Sequence, residues 1–184
     1  MPTTTHRKSA TTAKKVYVGS HHISQSISTI QGQQLIPTIT REKCGSDALS
    51  ACTVVMGPSK VAKMHLHEHN DIIVIVVEGH AATLIGDDLK PVYHGQGEFI
   101  FIPAGVPHTA LNVSTKNRVV AFEVRTDPHF NEDVVLLPHL EDKAAKRAAY
   151  IHKNFDAGKL KVPAHWDIED VGPFSFKELT PAGS

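Results

Sequence analysis

The chain has 184 residues, 41% of them hydrophobic and 21% charged, with 19 basic side chains against 19 acidic ones. That length predicts one compact domain with trimmings, and such ordinary composition excludes wholesale disorder, a fibrous chain or a membrane-embedded one. A formal charge of zero gives no general pull toward nucleic acid or anionic lipid, so neither partner is expected and function must lie in local chemistry.

Residues 1–15 are rich in Thr, Ser, Lys and Arg without apolar periodicity, which predicts a flexible arm. No apolar run follows the early basic residues, so no secretory signal is expected. Cys44 and Cys52 stand outside any Cys-x-x-Cys arrangement and read as two free thiols in a reducing cytoplasm. From Gln33 to Arg125 short apolar or alternating runs are punctuated by Gly, Pro, Asn and Asp, the pattern of an all-β sandwich or barrel.

Strands are predicted at Leu35–Thr40, Ser50–Met56, Val61–His67, Asp71–Val77, Ala81–Ile85, Lys90–Tyr93, Glu98–Ile102, His108–Val113 and Arg118–Val124. Such close spacing leaves no room for helical crossovers. The Ala-rich stretch Leu140–Phe155 predicts a helix, and the Pro-punctuated remainder predicts irregular structure. The expected layout is therefore an arm over 1–15, a barrel over 16–126 and a helix with an irregular tail over 127–184.

Histidine is over-represented, with 13 copies, several of them between His65 and His80. In His65-Leu66-His67 two imidazoles two residues apart on a strand project from one face and can converge on one ion. Asp71 opens the next strand just past the turn at Glu68–Asn70. His108 follows the Pro103–Pro107 corner and offers a third imidazole. Three histidines and a carboxylate suit one divalent metal ion, Fe(II) foremost, with Mn(II), Ni(II) or Zn(II) also compatible.

The spacing sharpens this. Gly97, Pro103, Gly105, His108 and Asn112 are separated by five, one, two and three residues, and in this they resemble the second motif of the cupin superfamily. Gly57, His65, His67, Asp71 and Gly79 resemble the first cupin motif with three departures: seven residues follow Gly57 where the family has five, Asp stands for the usual Glu, and seven residues rather than six precede Gly79. The resemblance implies a double-stranded β-helix, or jelly-roll barrel, with the metal in a cavity held by His65, His67, Asp71 and His108. Gly79, Gly97 and Gly105 are expected at corners that need positive φ.

Strand parity sets the expected facing of the other polar residues. Lys63 shares the parity of His65 and His67 and is expected to face inward, as a candidate catalytic group or a contact for an anionic substrate. Glu123 and Arg125 lie opposite Val120, Phe122 and Val124, so an exposed ion pair is expected there. Ile72, Val74 and Val76 are expected to point outward and need cover. Cupins commonly dimerise through their outer sheet, so the resemblance implies a homodimer.

Cupins include oxygenases, lyases, isomerases and binding proteins, so the fold does not name the reaction. The leading expectation is a metal-dependent enzyme acting on an oxygen-bearing small molecule, a non-haem dioxygenase or a related lyase or isomerase. The alternative is a non-catalytic ligand-binding cupin.

Overall fold

The computed structural model describes residues 16–20, 26–130 and 133–162. The predicted arm and the end of the predicted tail lie outside the described residues. Eleven strands occur among those described: β1 (Ile27–Ser28), β2 (Gln34–Ile39), β3 (Ser50–Met56), β4 (His65–His67), β5 (Ile72–Glu78), β6 (His80–Ile85), β7 (Lys90–Gly95), β8 (Phe99–Ile102), β9 (His108–Asn112), β10 (Val119–Arg125) and β11 (Val134–Leu136). A short helix α1 (Arg41–Cys44) follows β2, and α2 (Glu141–Asp156) follows β11. No helix among the described residues is long and apolar enough to cross a membrane.

The strands form two antiparallel sheets, one in the order β1-β2-β3-β10-β5-β8 and the other β11-β4-β9-β6-β7. Consecutive strands repeatedly change sheet, as β4 to β5 and β8 to β9 do, and this closes a double-stranded β-helix around an interior cavity. The prediction of an all-β barrel with a C-terminal helix therefore holds.

Turn chemistry fixes the corners. Gly79 turns β5 into β6 at φ 86°, and a Cβ there would sit 2.4 Å from the Arg118 carbonyl, so only glycine fits. Asn112 is wholly buried at the end of β9; its Nδ2 donates to the carbonyls of Met56, Gly57 and Asn117, and its Oδ1 accepts from the Ser114 amide. One side chain thus ties three chain segments at the end of the barrel away from the histidines.

The two sheets differ in what covers their outer faces. Ala144, Ala148 and Ile151 of α2 pack on Met64, Ala82, Leu84, Leu111 and Val113, covering the five-stranded sheet. The six-stranded sheet leaves Ile73, Phe99, Phe101 and Phe122 exposed, Phe99 at 68% and Phe101 at 58%. This reverses the expected parity of β5 and β10. Ile72 and Val76 are buried and, with Val74, line the cavity, while Ile73 faces outward. Both faces of β5 are apolar, so composition alone could not distinguish inside from outside there, and in β10 the more apolar face is the outer one.

Candidate metal centre

The site is built on the five-stranded sheet. His65 and His67 sit on β4, where period-two alternation turns both inward, and His108 opens β9 directly opposite His65 in the antiparallel register. The corner before β9 is pinned to β4 by the Gly105 amide, which donates to the His67 carbonyl at 2.7 Å with Gly105 at φ 74°. The ring centroids of His65 and His108 are 4.4 Å apart, those of His65 and His67 5.3 Å, and those of His67 and His108 5.6 Å. Their ligating nitrogens all lie within 4.8 Å of one another, close enough to share an ion.

Each ring is oriented from its far nitrogen. His65 Nδ1 lies 2.7 Å from the Lys63 carbonyl, His108 Nδ1 2.9 Å from the Val106 carbonyl, and His67 Nδ1 3.0 Å from Asp133 Oδ1. Carbonyls and carboxylates only accept, so each Nδ1 carries the proton and each Nε2 keeps its lone pair for a metal. Burial pushes all three imidazoles toward the neutral form that ligates: His65 falls well below its ordinary value, His67 is lowered, and His108 is lowered to about 4. Nearby positive charge on Arg125 adds to that effect at each ring.

Asp133 was invisible to sequence reasoning. It lies just before β11, 66 residues beyond His67, and β11 pairs with β4 across Val134 and His67. Its second oxygen accepts from the His69 amide and from Asn70 Nδ2 at 2.6 Å, and these bonds with His67 hold its carboxyl below the ordinary range against the opposing effect of burial. Only the long-range pairing of β11 brings it there, and no local spacing signals that.

Two residues expected at the site are placed elsewhere. Asp71 does not join the cluster; its Oδ1 accepts from the Ala104 amide at 2.9 Å and its own amide donates to Thr126 Oγ1. Lys63 is exposed and does not line the cavity. The strand begins only at His65, with Val61 making an isolated bridge to Leu111, so period-two parity does not extend back to position 63.

The opposite correction applies to Glu123 and Arg125. They are buried rather than exposed, 6% and 1% accessible, and they line the cavity from β10. Arg125 Nε donates to Glu123 Oε1, and the guanidinium lies 4.6 Å from the centre of the Phe130 ring. His94 also lines the cavity, bonded through Nε2 to Thr83 Oγ1. His80 meets Phe155 of α2, and Tyr93 packs on the helix-covered side. The cavity measures about 40 Å³.

Residues 52–125 match the family model described as the cupin domain. The barrel is a cupin domain. Among solved structures, this cupin resembles a double-stranded β-helix protein of Klebsiella pneumoniae, 14% identical over 61% of this chain and 90% of that one, at a TM-score of 0.50. It also resembles the oxalate decarboxylase of Lactobacillus farciminis in its formate complex, 16% identical over 75% of this chain and 41% of that one, at 0.52. An oxalate oxidase is 19% identical over 71% of this chain and 76% of that one, at 0.50. At these identities the likeness is one of fold. No curated protein matches the chain.

Proposed function

We propose that this cupin holds one divalent metal ion on His65, His67 and His108 and is an enzyme acting on a small oxygen-bearing organic molecule. Three imidazoles suit Fe(II), Ni(II) and Zn(II) alike; Fe(II), the ion we favour, would make the protein a non-haem dioxygenase, whereas Zn(II) or Mn(II) would favour a lyase or isomerase. One observation carries this reading: three buried, neutral imidazoles are each locked at Nδ1 and bring their remaining nitrogens together on one cavity wall.

A bound ion would supply Lewis-acid polarisation of a substrate oxygen and, as iron, a means of handling dioxygen. The chain's own residues supply the rest. Asp133 holds His67 in its ligating orientation. The small cavity and its mostly aliphatic lining limit how much water accompanies a substrate. Gln33, Thr83, His94, Glu123 and Arg125 are the other polar groups of the lining, whereas Lys63 and Asp71 lie outside it.

The proposal extends to setting and assembly. Two unpaired cysteines suit a reducing cytoplasm, and the exposed Phe99, Phe101, Phe122 and Ile73 suit a homodimer.

The test is elemental analysis of protein purified without added metal, followed by oxygen uptake and product analysis with diketones, diols and small organic acids. The expected result is close to one ion per chain and turnover that is lost in a His65→Ala/His108→Ala variant. Metal without turnover on any of these classes would make the protein a binding cupin. Absence of metal would overturn the site itself.

A further inference from the structure

The cavity has a second polar end that the metal reading leaves without a role. In the ladder of β6 with β9, Ile85 pairs with His108 and Thr83 with Ala110. Thr83 therefore stands two residues, about 7 Å, from the triad, toward the end of the barrel that Asn112 ties. His94 lies further along still, since it pairs with Ala81 and Ala81 pairs with Asn112. Its ring reaches back to Thr83, with Nε2 2.9 Å from Thr83 Oγ1. Both side chains are buried and both line the cavity.

Two properties set this pair apart from the triad. The first is charge. Besides burial, Arg125 bears on every ring of the triad and Glu123 on two of them. The only charge that bears on His94 is Glu98, which lies outside the lining and accepts through Oε2 from the Gly95 amide. Burial lowers His94 to about 4 against that pull, so the ring is neutral.

The second property is an unmatched nitrogen. His94 Nδ1 is buried, and no group among the described residues bonds to it. With the Thr83 hydroxyl donating to Nε2, one proton of the pair is left unaccepted, that on Nδ1. The reverse tautomer would leave both the hydroxyl proton and Nδ1 without partners. A buried donor without an acceptor is costly, and in a cavity wall it marks where a ligand oxygen belongs.

We infer that His94 holds the far end of the ligand, its Nδ1–H donating to an uncharged hydroxyl or carbonyl oxygen. The inference rests on the metal reading above and narrows its substrate class to short molecules with an oxygen at each end, one for the ion and one for His94. The aliphatic remainder of the lining matches a short carbon chain. A carboxylate at the far end would meet no cation there and Glu98 beyond it, so an ionised end is disfavoured.

The test is titration calorimetry on protein loaded with Zn(II), with zinc content measured separately. The probes share a hydroxamate head for the ion and differ at the tail: β-hydroxypropanohydroxamic acid, butanohydroxamic acid of equal size, and the carboxylate-tipped malonomonohydroxamic acid. The hydroxyl-tipped probe should bind about tenfold tighter than the methyl-tipped one, and the carboxylate-tipped probe should bind more weakly than the hydroxyl-tipped one. His94→Phe should abolish the preference for hydroxyl over methyl without loss of zinc. A merely structural role would weaken both probes alike and keep their ratio. If His94→Phe fails to fold, nitrogen NMR of the unmutated, histidine-labelled protein decides, because the hydroxyl-tipped probe should shift the His94 Nδ1 resonance and the methyl-tipped one should not.

Equal affinity for the two tails, a preference that survives His94→Phe, or an Nδ1 resonance indifferent to the tail would overturn the inference, and bound water would then complete His94. Tightest binding of the carboxylate-tipped probe would overturn the uncharged far end. Failure of the metal reading shows separately, as protein that takes up no zinc, and it would overturn the two-ended ligand with it.

Discussion

The two sheets wall the same cavity with opposite chemistry. The five-stranded sheet contributes neutral donors, His65, His67 and His108, each fixed through a hydrogen bond at its far nitrogen. The six-stranded sheet contributes charged groups, Glu123 and Arg125, which bond to each other, with the Arg125 guanidinium stacked on Phe130. Their outer faces differ as well, one buried under α2 and the other exposing phenylalanines. The first sheet presents converging neutral donors and the second a buried ion pair, so perturbing each should produce a different signature.

The largest effect is expected from pH, and it belongs to the five-stranded sheet. Burial lowers His94 and His108 from the ordinary 6.5 to about 4. Between those values the unfolded chain binds protons that the folded chain refuses, so metal-free stability should fall as pH drops from about 6.5 toward 4 and level off below. Each group contributes on the order of 3 kcal/mol to that fall. Thermal unfolding in the presence of a chelator would follow it, and His94→Gln should flatten the slope. A melting temperature constant across this window would remove the proposed asymmetry between the sheets.

Next in size is Asp133→Asn. The neutral amide weakens the hydrogen bond that orients His67, and losses of this kind reduce metal affinity roughly 10- to 100-fold. Competition with a chelating dye would measure it. Unchanged affinity would show that β4 alone positions the imidazole.

The outer faces give a smaller effect, confined to assembly. If the exposed aromatic face is a subunit contact, Phe99→Glu/Phe101→Glu should convert a dimer to a monomer in light scattering while leaving metal affinity within about twofold, because both side chains point away from the cavity. A variant that stays dimeric would move the contact elsewhere.

The histidines were legible in the sequence because one strand's alternation and one set of spacings suffice to bring them together. Ser50–Met56 was legible to the residue, and α2 to within one. Glu123 and Arg125 were not legible as cavity residues because the other face of their strand, Val120, Phe122 and Val124, is the more apolar, and hydrophobicity alone points that face inward. In β10 the interior face is Val119, Ala121, Glu123 and Arg125, and Phe122 faces out. Only the barrel's closure, a property of all the strands together, decides which face is enclosed. Asp133 was hidden for a related reason, since a contact 66 residues from its partner leaves no local trace.

The smallest expected effect concerns Asp71, where spacing suggested a fourth ligand from the residue just before β5 of the six-stranded sheet. Its Oδ1 accepts from the Ala104 amide, its amide donates to Thr126 Oγ1 and its carbonyl accepts from the Thr126 amide, which ties the corner before His108 to the end of β10. Asparagine keeps an oxygen able to accept from Ala104 and loses only the charge assistance, so Asp71→Asn should cost about 1 kcal/mol of stability. Metal affinity should stay within about twofold, since the three imidazoles and Asp133 are untouched. A loss as large as that of Asp133→Asn would instead place the Asp71 carboxylate on the ion, and coordination would then no longer be the work of the five-stranded sheet alone.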